Sequence, residues 1–120
     1  METTMGKALE AYAALNSVRD KVKGKTALDL FHLKNMLKEA VDFQCEEEQK
    51  LVEQFGGVVT EAGMIIIADK EKRAEYTKER KKLAEMEYEV KTEPVRVDLE
   101  KAPDITMEDI EQLDGFVKFE

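Results

Sequence analysis

The side chains best suited to chemistry are few: a single histidine, His32, and a single cysteine, Cys45. Nucleophilic triads and most zinc sites set a histidine against a cysteine, a serine or a carboxylate. His32 and Cys45 stand 13 positions apart within one predicted helix. At a rise of ~1.5 Å per residue they are about 20 Å apart along its axis. They cannot meet within one chain while that helix holds. A reactive thiol also needs positive charge beside it, and Glu46, Glu47 and Glu48 follow Cys45 at once.

The other candidates fail on spacing. Glu46-Glu47-Glu48 and the scattered Asp98, Asp104 and Asp109 offer oxygen ligands for a hard cation. A calcium loop, however, alternates its acidic ligands closely around a glycine turn, and no D-x-D-x-D-G run is present. Lys78 to Lys82 is a basic cluster, but Glu75, Glu79 and Glu85 neutralise the same turns and no aromatic platform accompanies it. Gly56-Gly57 lacks the G-x-x-x-x-G-K-[ST] frame of a phosphate loop. The expectation is a non-enzymatic chain with no cofactor, no metal and no small-molecule ligand.

Candidate contacts with other macromolecules are easier to name. The net charge of −8 is unevenly spread: residues 92–120 carry nine acidic and three basic side chains, whereas residues 1–91 are nearly balanced. That segment repels a polyanion, so direct nucleic-acid binding is not expected and a basic partner surface is. Glu108, Asp109 and Glu111 are its candidate charged contacts. Ile65, Ile66 and Ile67 form the candidate apolar one, since three consecutive isoleucines suit a strand that is either covered on both faces or sticky on one; the equal alternative is that the hairpin folds back onto the first helix.

These residues must be positioned by helices for the most part. Met5, Leu9, Tyr12, Leu15, Val18 and Val22 recur at helical spacing and predict a first helix from Thr4 to Lys23, stopped at Gly24. Thr26 then opens a second, with Asp29 as its capping partner. It runs over 27–55, about 43 Å, on a stripe of Leu30, Leu33, Leu37, Ala40, Val41, Leu51, Val52 and Phe55. Gln44 and Glu48 interrupt that stripe. Residues 58–68 read as a β-hairpin turning at Glu61-Ala62-Gly63. Asp69 caps a third helix, 70–87, with pairs Glu75–Lys78, Glu79–Lys82 and Lys81–Glu85 at ion-pairing distance.

Beyond it, Tyr88 and Val90 begin a strand that Pro94 interrupts, and Val95, Val97 and Leu99 alternate with charges. Thr106 and Asp109 form a capping box before a short helix Met107–Leu113, and Phe116 to Phe119 is a last strand. The fold class expected is α+β: an antiparallel helical hairpin, a β-hairpin at 58–68 and a small C-terminal α/β segment with an antiparallel sheet. One domain spans 1–120, made of an N-terminal helix (1–24), a helix–hairpin–helix arm (27–87) and an acidic strand–helix–strand segment (88–120). No apolar run approaches the ~20 residues that cross a bilayer, and the lone cysteine makes a reducing cytoplasm the expected compartment.

From about Leu30 onward the order of elements resembles a loose family of small tailed-phage and prophage proteins of uncharacterised function, from Gram-positive bacteria and their phages. The resemblance lies in a long Glu-rich helix ending Val52-Glu53-Gln54-Phe55-Gly56, a Gly-containing hairpin and a charged helix from Asp69. An alternating strand and Ile105-Thr106-Met107-Glu108-Asp109-Ile110 leading to Leu113 and Phe116 complete it. It implies a phage or prophage origin and carries no activity with it. Together with the residues, it makes the expected function protein–protein interaction, in particle assembly or in modulating a host system, with the partner a host or phage protein or a second copy. The alternative is an acidic mimic of nucleic acid that inhibits a host nuclease or defence protein.

Overall fold

The computed structural model describes residues 1–120. Strand β1 (Glu2–Thr4) leads into helix α1 (Met5–Val18), and a 3-10 turn (Arg19–Lys21) connects it to helix α2 (Gly24–Gln54). Strands β2 (Val58–Val59) and β3 (Ile65–Ile66) precede helix α3 (Lys70–Glu85), and strand β4 (Glu87–Glu89) follows it. Strand β5 (Val95–Val97), helix α4 (Met107–Gln112) and strand β6 (Val117–Phe119) complete an α+β fold. At 31 residues, α2 is about 46 Å long, close to the molecule's longest extent of 52 Å.

α1 is shorter than its apolar pattern predicts, and its buried face keeps Met5, Leu15 and Val18 of the predicted stripe but turns toward the alanines. Ala8, Ala11 and Ala14 join Met5, Leu15 and Val18 in the core, while Leu9 and Tyr12 sit half-buried at its edge. Alanines let two helix backbones approach closely, so the contact face follows the small residues rather than the largest ones. Lys34 on α2 lies 5.4 Å above the Tyr12 ring. Gly24 takes the left-handed φ of 63°, but it stands at the start of α2 and not in the stop of α1. Thr26 therefore falls inside the first turn of α2, and the capping position goes to Lys23, which supplies no side-chain hydrogen bond.

The body of the molecule is one core of seventeen buried residues. Leu33 and Leu37 of α2 and Val18 of α1 are sealed in it together with Val90, Val97 and Leu113. The acidic C-terminal quarter is thus no appendage: it closes the core formed by α1 and the first half of α2. Its sheet corrects the antiparallel expectation. β5 and β6 run parallel, pairing Val95 with Val117, Arg96 with Lys118 and Val97 with Phe119. α4 lies in the connection between them, and a return through a helix brings the second strand in along the same direction.

A second, antiparallel ribbon ties the start of the chain to the end of α3. β1 pairs with β4, Thr3 opposite Tyr88, the Val90 N–H donates to the Met1 carbonyl (2.9 Å) and the Met5 N–H to that of Met86 (2.9 Å). The second half of α2, the β2–β3 hairpin and α3 form the arm, whose own cluster is Val52, Phe55, Ile67 and Tyr76. Asp69 caps α3 by accepting from the N–H groups of Glu71 (2.9 Å) and Lys72 (3.1 Å). Of the three ion pairs predicted on this helix only Glu79–Lys82 forms, at 3.2 Å; Glu75, Lys78, Lys81 and Glu85 stay apart, free in solvent.

Between body and arm the two interruptions of the α2 stripe find different solutions. Glu48 accepts from the Tyr76 hydroxyl (3.2 Å) and the Arg80 guanidinium (3.1 Å), so a charge takes the place of an apolar contact. Burial, then the Glu48 carboxylate, pushes the Tyr76 hydroxyl above its usual pKa. Gln44 is buried, and its side-chain oxygen has no hydrogen-bond partner.

Candidate interaction surface

The tip of the arm is built by a close approach. Gly56 takes the left-handed φ of 68° where the chain leaves α2, and a Cβ on Gly57 would lie 3.0 Å from Val52 Cγ1 and 3.2 Å from Ile67 Cγ1, so any side chain there would press on both. Val58 then pairs with Ile66 and Val59 with Ile65. The Thr60 N–H donates to the Met64 carbonyl (2.8 Å), and the Met64 N–H donates to the Thr60 hydroxyl oxygen (3.1 Å), closing the turn at Gly63.

The three isoleucines, expected as one sticky strand, are divided by this geometry. β3 contains only Ile65 and Ile66. Ile67 is buried against Val52, Phe55 and Tyr76, so it is a corner of the arm's core and cannot meet a partner. Ile65 is half-buried and Ile66 exposed. In exchange the structure adds Val58, Val59 and Met64, each more than half exposed, as is Ile66. The signal for them was present: between Gly56 and Ala68 the only charged residue is Glu61, in a chain that is 38% charged. The hairpin is two-stranded, so both of its outer edges are unpaired.

A groove of about 510 Å³ runs between this hairpin and α2, lined by Cys45, Gln49, Val52, Val59, Gly63 and Ile65, with Glu48 and Glu53 also on its walls. Cys45 is exposed there. His32 is exposed on the same helix but opens on a different cleft of about 570 Å³, where Lys25, Asp29, Glu93 and Arg96 also face. The nearest ring to His32 is Phe31, at 6.0 Å. No three histidine, cysteine or carboxylate side chains converge anywhere.

The acidic candidates also separate. Glu108 and Glu111 are exposed, whereas Asp109 is 3% exposed. Its carboxylate accepts from Lys21 Nζ (2.6 Å), the Ser17 hydroxyl (3.4 Å) and the Thr106 N–H (3.0 Å). The Thr106 hydroxyl oxygen accepts in turn from the Asp109 N–H (3.2 Å), completing the capping box. Burial alone would raise the Asp109 carboxyl. The Lys21 hydrogen bond, the two from Thr106 and the Lys21 charge outweigh it and hold it below the ordinary value. Asp109 is a latch between α1 and α4, and it is withdrawn from any outside contact.

No helix is long and apolar enough to cross a membrane. No protein-family model, curated protein or solved structure matches this chain.

Proposed function

We propose that this chain is a non-enzymatic protein-binding protein that docks through the tip of its arm. The observation that carries the reading is the exposed hairpin: Val58 and Ile66 stand paired on one face of a ribbon with free edges, Val59 is exposed on the other face beside Ile65, and Met64 is exposed at the turn. Exposed apolar residues scattered singly need no explanation, but several on both faces of one projecting ribbon are the kind of surface that a partner covers. Free strand edges add backbone donors and acceptors that a partner can pair. The phage resemblance favours a role in particle assembly or in modulating a host system.

The test compares baits in lysate and in a mixture of candidate phage structural proteins. Wild type and Glu108→Lys should retain a partner that Ile66→Lys and Val59→Lys lose, with helix content unchanged in all four. Retention by the two tip variants would defeat the reading and return attention to the acidic face.

A further inference from the structure

We infer that the tip surface is covered by a second copy of this chain, related by a two-fold axis through the hairpins. This rests on the docking role proposed for the same surface. Size gives the first constraint. Val58, Val59, Met64 and Ile66 expose on the order of 400 Å² divided over the two faces of the ribbon, so two tips packed together fall well short of the ~1,200 Å² of a stable interface. Any partner must therefore also cover the flanks of the arm, so their charge selects it.

The two flanks are opposite in sign. From Asp42 to Gln54, α2 carries five acidic residues and one lysine, a net −4; α3 carries seven basic and four acidic residues, a net +3. One ion pair joins the two helices within the chain, Arg80 with Glu48 at 3.1 Å. Asp42, Glu46 and Glu53 on one side, and Lys70, Lys72, Arg73, Lys78 and Lys81 on the other, make no ion pair. A two-fold interface must match a patch to itself. A nearly uncharged apolar hairpin with acid on one flank and base on the other is such a patch. The axis sets hairpin on hairpin, and each acidic α2 flank against the partner's basic α3, twice. A partner of one sign would satisfy one flank and be repelled by the other.

Sedimentation of the full chain over a wide concentration range tests this. The expected result is a reversible species of twice the 13.7 kDa chain mass, weakened by salt, which screens the flanks. Ile66→Lys should weaken it at least about tenfold with helix content unchanged, because that side chain is exposed. Charge reversal gives the sharper measurement. Glu46→Lys with Glu53→Lys, and separately Lys78→Glu with Lys81→Glu, should each weaken self-association, and mixing the two variants should restore it as a mixed dimer. A wild type that stays monomeric at every concentration overturns the inference, and so does a dimer indifferent to Ile66→Lys or a mixture without restoration. If a monomeric wild type still captures another protein through Ile66 and Val59, the docking role survives alone. If it captures nothing through them, both fall.

Discussion

The body and the arm share one helix and are stabilised in different ways. In the body, α2 presents Leu30, Leu33, Leu37 and Ala40 to a core of seventeen buried residues that otherwise come from α1, Val22 and the chain from Val90 onward. In the arm, the same helix presents Val52 and Phe55 to a cluster of four, and between them it relies on Glu48, Tyr76 and Arg80. Hydrophobic burial scales with apolar area removed from water, so the body sets the global stability. The end of α3 is held to the body, where Ala84 lies against Gly6 of α1, so the part expected to open most readily is the distal one, the hairpin with the adjoining ends of α2 and α3, as segments with few buried contacts do. The surface proposed to meet a partner therefore sits where local rearrangement costs least.

The sharpest way to break this contrast is one truncation in each region. Leu37 is fully buried, and Leu37→Ala should cost about 3 kcal/mol and lower the midpoint of the whole unfolding transition. Phe55→Ala removes the aromatic that meets Tyr76 edge-on at 6.5 Å, yet it should leave the body's slowest-exchanging amides almost unchanged. Its signature is faster hydrogen exchange in the second half of α2, the hairpin and α3. Equal acceleration in Leu33 and Val97 amides would show that the two regions unfold as one.

A smaller effect, and one confined to the body, attaches to the Asp109 latch. Asp109→Asn keeps the shape and a capping oxygen but strips Lys21 of its counter-charge, and should cost about 1–2 kcal/mol at neutral pH. The folded carboxyl is held below 3.8. Its contribution is thus fully present above the unfolded value and is lost as pH falls through the folded one. Urea unfolding of the wild type and variant should differ at pH 7 and converge progressively below pH 3.8. A constant gap across that range would mean that the charge plays no part.

How far the sequence could be read follows the same division. Signals that act within a few residues were legible: the Thr106–Asp109 capping box, the Asp69 cap and the body of the long α2 appear where local pattern puts them, although α2 begins at Gly24 and not after Thr26. What was not legible depends on partners distant in sequence. The β1–β4 pairing joins residues more than eighty positions apart. The alanine face of α1 is chosen by the helix it meets, not by its own hydrophobicity. Asp109 was readable as a cap, but its role as a latch needs Ser17 and Lys21, some ninety positions earlier. At the tip, alternation alone could not say which of three equal isoleucines turns inward; Ile67 does, because it meets Val52, Phe55 and Tyr76, partners from two other elements.

The smallest expected effect lies at the boundary itself. Gln44 is 5% exposed and its side-chain oxygen is unpartnered, a state that costs about 1–3 kcal/mol when the group is fully desolvated. Leucine is one atom shorter than glutamine but branched and apolar, and it would continue the Leu37–Ala40 stripe toward Val52, joining the two clusters into one. Gln44→Leu should therefore raise stability by about 1 kcal/mol, read as a higher urea midpoint at unchanged slope. If the glutamine keeps body and arm separable, the same variant should also slow exchange across the arm and abolish the difference between Phe55→Ala and Leu37→Ala. A gain in midpoint with arm exchange unaltered would instead reduce Gln44 to a local defect, and the independence of the arm would then rest on Glu48 and its two partners.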